Sequence, residues 1–236
     1  MEAWTESLLV ALGRAGDAGA MFDRIEQSAR HLGFERCAYG LRQPLPFTNP
    51  KIFMVNNYDR RWRRRYMDAG YLSVDPTVLH GRRSHIPVVW SDDLFSQVPE
   101  MWEEARSFGL SVGWAQSCFD GNGAVGLLSL SRSHEKLTQA EIFAKEPHMR
   151  WLVNIAHTAL SSVLAKDCWP MSSRLTAREV EILKWTADGK TSSEAADILR
   201  ISTNTVNFHV KNAISKLRVA NKAAAAARAA VLGLLD

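Results

Sequence analysis

Between positions 175 and 217 the chain reads LTAREVEILKWTADGKTSSEAADILRISTNTVNFHVKNAISKL. Thr176 and Glu179 stand at the spacing of a capping box, and Val180, Leu183 and Ala187 repeat at helical intervals until Gly189 ends the pattern. The punctuation then recurs. Thr191 and Glu194 form a second box ahead of an inner face of Ala195, Ala196, Ile198 and Leu199. Ser202 can cap a third helix to Leu217, with Val206, Val210, Ala213, Ile214 and Leu217 inward. A fourth, alanine-rich helix is predicted over 222–233. Four short helices, the second and third joined by a tight turn, predict an all-α four-helix helix-turn-helix domain over 175–236.

The outward positions of the third helix are Asn204, Asn207, Phe208, Lys211 and Ser215. Asn pairs bidentately with adenine edges, and Lys reaches guanine or phosphate. Asn204, Thr205, Asn207 and Lys211 are therefore candidate contacts to double-stranded DNA. The amides near Lys190 and Thr191 can hold a phosphate at a helix N-terminus, and Arg178 can add another phosphate contact. Charge agrees with this reading. Residues 171–236 carry ten Lys and Arg against six Asp and Glu, whereas residues 1–170 balance at 19 each. The basic excess at the C-terminal end suits a polyanion.

The 236 residues suggest one or two domains, and 46% hydrophobic with 23% charged residues excludes collagen-like, disordered and disulfide-framework classes. No apolar run approaches the ~20 residues of a membrane span. Glu2 and Glu6 stand where a signal peptide requires basic residues, so a cytoplasmic protein without a membrane partner is expected. Cys37, Cys118 and Cys168 are scattered, which gives no zinc or redox motif. Pro170 and two serines break the helical pattern at 166–174, the expected linker.

Ahead of that linker, helices are predicted over 2–14 and 18–32, the second ending at Gly33, and a last one over 149–164. Strands are predicted over 36–41, 51–56, 86–90, 113–119 and 124–131, with a hairpin at Gly121-Asn122-Gly123. Short helices at 60–69, 75–82 and 100–108 fall between them. The whole predicts an α+β domain over 1–165, an α/β/α sandwich on a mostly antiparallel sheet. A phosphorylated receiver domain is excluded, because the first strand is followed by Arg42-Gln43-Pro44 and no acidic pair. There is no G-x-S-x-G, metal spacing or phosphate-binding glycine loop, so no enzyme and no cofactor are expected.

Two resemblances follow from these residues. The run from Leu175 through Gly189, Glu194, Thr205-Val206, His209 and Leu217 resembles the LuxR-type helix-turn-helix. In order along the front are Asn57-Tyr58, Trp62, Tyr66, Asp75-Pro76-Thr77-Val78, Val89-Trp90, Trp102, Gly109, Gly113 and Leu128-Ser129-Leu130. That series resembles the autoinducer-binding domain of LuxR-type quorum-sensing receptors, from about Phe22 to Leu164.

The resemblance implies a transcription factor that binds an N-acyl-homoserine lactone. Acting as a homodimer, it would read palindromic half-sites ~34 Å apart and engage RNA polymerase. It assigns Trp62, a donor only, to the lactone carbonyl and ionised Asp75, an acceptor only, to the amide N–H. Tyr58 and Ser129 would donate to the amide carbonyl, with Tyr66 and Trp90 walling the head group. Arg42, Phe53, Val78, Leu128 and Leu110 are assigned to the tail region, and Thr77 is a further ligand-binding candidate. The arginines at 60, 61, 63, 64 and 65 read as a solvated helix face, with Arg63 reaching the ligand through water. The rivals are another small molecule on the same scaffold, a lactone-degrading or acyl-transferring enzyme, and a ligand-independent regulator.

Overall fold

The computed structural model describes residues 8–10, 12–13, 16–165 and 174–235, which form two compact units. The linker expected at 166–174 lies outside the described residues except for Arg174, as does much of the helix expected over 2–14.

In the first unit, helix α1 (Ala18–His31) starts where the Asp17 carboxylate accepts from the Ala20 amide at 2.9 Å. It stops at Gly33, whose φ of +86° is open to a residue without Cβ. Five strands follow: β1 (Arg36–Arg42), β2 (Ile52–Asn56), β3 (Val88–Val89), β4 (Val112–Phe119) and β5 (Val125–Arg132). They form one antiparallel sheet in the order β2-β1-β5-β4-β3. The third strand is shorter than the predicted 86–90, with Ile86 62% exposed outside it.

Period-two alternation sends Cys37, Tyr39, Leu41, Trp114, Leu128 and Leu130 to one face. There they pack against α1 and the long helix α5 (Gln139–Leu164). That helix corrects the sequence reading, since it begins ten residues before the predicted start at Met149 and runs through Pro147. Thr138 caps it by accepting from the Glu141 amide at 3.1 Å. The buried Arg132 guanidinium then grips Glu141 at 2.9 and 2.8 Å, and Lys145 adds 2.7 Å. The Arg132 bond is the main cause holding the Glu141 carboxyl down to about 2. This anchor, with Leu152, Val153, Ala156 and Leu160 buried behind it, offsets the single hydrogen bond that Pro147 removes.

Helices α2 (Arg60–Asp68), α3 (Pro76–Gly81) and α4 (Pro99–Ser107), with a 3₁₀ turn at Tyr71–Ser73, belong to the opposite side of the sheet. Helices, sheet and helices make the predicted three-layer sandwich.

The second unit holds α6 (Ala177–Ala187), α7 (Ser192–Leu199), α8 (Thr203–Leu217) and α9 (Lys222–Val231). Both capping boxes are present, with reciprocal bonds between Thr176 and Glu179 and between Thr191 and Glu194. Val206, Ala213, Leu217, Ala225 and Ala229 fill the core, as amphipathic spacing requires. Ile198 does not join them; it is 44% exposed, because a face centred on Ala195, Ala196 and Leu199 puts it on the rim. Arg200 closes α7 with φ +51°, turning the chain directly into the Ser202 cap of α8.

Candidate functional site

The side of the sheet away from α1 and α5 bounds a cavity of about 200 Å³. Ten of the twelve sequence-predicted ligand residues line it: Arg42, Tyr58, Trp62, Tyr66, Asp75, Thr77, Val78, Trp90, Leu110 and Ser129. Trp62 and Tyr66 reach it as an i, i+4 pair on α2, both buried, with ring centroids 5.7 Å apart in an edge-on arrangement. Trp62 also meets Tyr71 and Phe108, at 6.0 and 5.7 Å. On the far wall Phe95 and Trp102 stack at 4.4 Å, and Trp90 stands edge-on to both.

Asp75 is the polar centre. Its carboxylate caps α3, with Oδ1 accepting from the Thr77 amide at 2.8 Å and the Thr77 hydroxyl at 2.7 Å. Oδ2 accepts from the Tyr66 hydroxyl at 2.8 Å. Burial pushes the carboxyl above its ordinary range, against the pull of the Thr77 and Tyr66 bonds. Burial and the neighbouring Asp75 charge together raise the Tyr66 phenol, which therefore stays a donor. Burial raises the Tyr58 phenol likewise. Around Asp75 the cavity thus presents neutral donors and one acceptor-rich carboxylate among apolar side chains. That composition can satisfy both hydrogen-bond donors and acceptors of a small molecule.

Two tail candidates are corrected. Leu128 is 1% exposed in the core shared with α1 and α5, and Phe53 packs against that same core. Their neighbours Leu127, Ile52 and Met54 line the cavity instead, as do Ala38 and Gly40. The missing signal was parity. Once Ser129 faces the cavity, strand alternation requires Leu127 beside it and forbids Leu128. The arginine cluster is a charged exposed face with local partners: Arg65 binds Glu104 in a fork at 2.7 and 2.7 Å, Arg61 pairs with Asp59, and Arg64 with Asp68. Arg63 lines the cavity.

Gly113 has a steric role. A Cβ there would lie 2.3 Å from the Trp90 ring, so the wall depends on a bare backbone. Gly113→Ala is expected to displace Trp90, lower stability by about 1–3 kcal/mol and weaken ligand response. Gly40 provides the contrast, because its added Cβ meets nothing within 4 Å and Gly40→Ala should not lower the melting temperature of the ligand-free chain. Thermal melts of the two variants, each with and without ligand, check this. Equal melting temperatures would remove the steric argument.

In the second unit, Asn204, Thr205, Asn207, Phe208, Lys211 and Ser215 are all exposed on α8. Arg178 is half-buried and paired with Glu181. The Thr191 amide is already taken by Glu194 at 2.8 Å, so it is not free to receive an anion. The Lys190 carbonyl accepts from Lys222 at 3.1 Å. Among the described residues, no group of His, Cys, Asp and Glu is placed to hold a metal, and no helix is long and apolar enough to cross a membrane.

Comparisons with known proteins agree with both units. Residues 17–160 match the autoinducer binding domain, and residues 173–229 match the LuxR family of bacterial regulatory proteins. The transcriptional activator protein AnoR of Acinetobacter nosocomialis is 43% identical over the full length of both chains. The quorum-sensing regulator RhlR of Pseudomonas aeruginosa is 39% identical, covering 98% of this chain and 96% of its own. A crystal structure of Escherichia coli SdiA superposes with a TM-score of 0.84 at 35% identity, covering 99% of this chain and 98% of that one. A structure of SdiA with octanoyl-rac-glycerol gives a TM-score of 0.82, also at 35% identity, over 99% and 96%. With an autoinducer-binding sandwich ahead of a helix-turn-helix unit, this chain belongs to the LuxR family of quorum-sensing transcription regulators and is not an enzyme.

Proposed function

We propose that the cavity takes an N-acyl-homoserine lactone and that a homodimer so loaded binds a palindromic promoter element in the cytoplasm and engages RNA polymerase. The observation that carries this reading is the buried Asp75 carboxylate sharing one apolar cavity with the Trp62 indole, an acceptor and a donor matched to the amide N–H and lactone carbonyl. Tyr58 and Ser129 supply donors for the amide carbonyl, and the tail lies against Val78, Leu110 and Leu127. Each buried methylene contributes about 0.8 kcal/mol, so the tail supplies most of the affinity and the head fixes identity. Ligand held this way also stabilises the fold by mass action.

Exposed Ala223, Ala227 and Ala230 form a small-residue face on α9, opposite its buried Ala225, Ala226 and Ala229. Such a face lets two copies approach closely, carrying two α8 helices to half-sites ~34 Å apart. Asn204, Thr205, Asn207 and Lys211 then face the major groove, while Lys190, Thr191 and Arg178 lie towards the backbone.

Mass spectrometry of ligand extracted from protein expressed with a mixture of lactones tests the assignment. One lactone, recovered near one per chain, is expected. A different molecule recovered from every preparation would overturn it. The SdiA complex with octanoyl-rac-glycerol favours a monoacylglycerol as the second reading, and the same extract reveals it.

A further inference from the structure

The cavity has two ends of different chemistry. On β1, Ala38, Gly40 and Arg42 all line it, and Ala38 pairs across the sheet with Ser129 at the head-group end. Arg42 lies four residues further on, roughly 13 Å at the rise of a strand. Helix α3 starts at Asp75 and brings Gly81 against Leu127, where an added Cβ would lie 3.0 Å from the Leu127 methyl. Arg82 follows at once, and it lines the cavity too. Both arginines therefore stand away from the Asp75 end.

Their charges lack a counterpart. Arg65, Arg106 and Arg132 each bind a carboxylate. Among the described residues, the side chains of Arg42 and Arg82 make no hydrogen bond or ion pair. Arg42 is half-buried, and burial first, then the nearby Arg82 charge, pulls its pKa down. A pair of guanidinium groups at the end of a mainly apolar cavity repel one another until an acceptor comes between them.

We propose that the ligand's acyl chain carries a hydrogen-bond acceptor at its far end, best a carboxylate, received by Arg42 and Arg82. A guanidinium fork matches a planar carboxylate bidentately, half-buried Arg42 giving the stronger bond and solvent-exposed Arg82 the weaker. The inference rests on the lactone reading and adds the class of tail.

Calorimetric titration of the full chain tests it with two probes of equal length, N-octanoyl-homoserine lactone and its analogue bearing a terminal carboxylate. The wild-type chain binds the carboxylated probe at least about tenfold more tightly. Arg82→Met loses most of that preference while holding the octanoyl probe within about threefold, and that retained binding also reports an intact fold; in Arg42→Met, which alters the tail wall as well, the preference is read as the ratio of the two affinities and falls likewise. Equal or tighter octanoyl binding by the wild-type chain overturns the distal acceptor and leaves the lactone reading standing. A parallel loss of both probes in Arg82→Met overturns it too. If neither probe binds the wild-type chain, the lactone reading itself falls and takes this inference with it.

Discussion

Asp75→Asn raises the lactone concentration needed for half-maximal response by about ten- to a hundredfold, while the fold persists. The two parts of this expectation have separate causes. As a helix cap, Asn is nearly equivalent to Asp, so the bond from the Thr77 amide that starts α3 survives. As a ligand partner it is not equivalent. One of its two terminal groups is a donor, so a ligand N–H that met a carboxylate now meets half an acceptor and a competing N–H. A buried polar group left unmatched costs about 1–3 kcal/mol, more where charge was involved, which gives the stated range. Asp75→Ala loses the cap as well, and should fail in soluble yield before ligand can be assayed. Dose–response curves of a promoter reporter, alongside melting of the ligand-free variant, separate the two effects. Unchanged sensitivity in Asp75→Asn would remove the carboxylate from the binding site.

Glu179→Ala abolishes DNA binding and leaves ligand binding intact. Glu179 is 2% exposed and joins three parts of the second unit. It accepts the Thr176 amide at 2.8 Å, which closes the first capping box, and the Lys216 ammonium at 2.9 and 2.8 Å, which ties α6 to α8. Burial works to raise its carboxyl, but Lys216 and Thr176 outweigh it and hold the group below its ordinary range. Removing one partner of a buried pair costs about 3–5 kcal/mol, and Lys216 retains enough exposure to place this pair near the lower end. For a unit of four short helices that loss is comparable with its whole stability. Because the folded pKa is lowered, the contribution is complete above about pH 4.3 and disappears as pH falls through the folded value. Glu179→Gln should flatten that acid transition while preserving more of the fold than Ala. Calorimetry with a DNA-binding assay checks both, and wild-type melting together with full DNA binding would contradict the assignment.

How much was readable in advance differs between the two units. In the second, the determinants are local: Thr176, Thr191 and Ser202 cap the helices that follow them, with partners within three residues. Nearest-neighbour chemistry of that kind is visible in one dimension. In the first, strands and short helices were readable, yet the start of α5 was not. The Thr138 cap and Glu141 were present in the sequence, but Pro147 argued for a break. What overrides Pro147 is Arg132, nine residues before Glu141 and reaching it only because β5 ends beside α5.

The chain by itself determined the capped helix starts of the second unit, the two-unit composition, and the residue types that meet in the cavity, since each follows from local hydrogen bonding or from side-chain chemistry. Tertiary structure alone decided which strand parity faces the cavity, excluding Leu128 and Phe53 in favour of Leu127, Ile52 and Met54. It alone set Trp90 against the bare backbone of Gly113 and brought Arg42 and Arg82 to the same cavity. The physical reason is range. Caps and periodicity act within a few residues, whereas the face a strand shows and the charges a cavity gathers depend on which distant segments pair beside it.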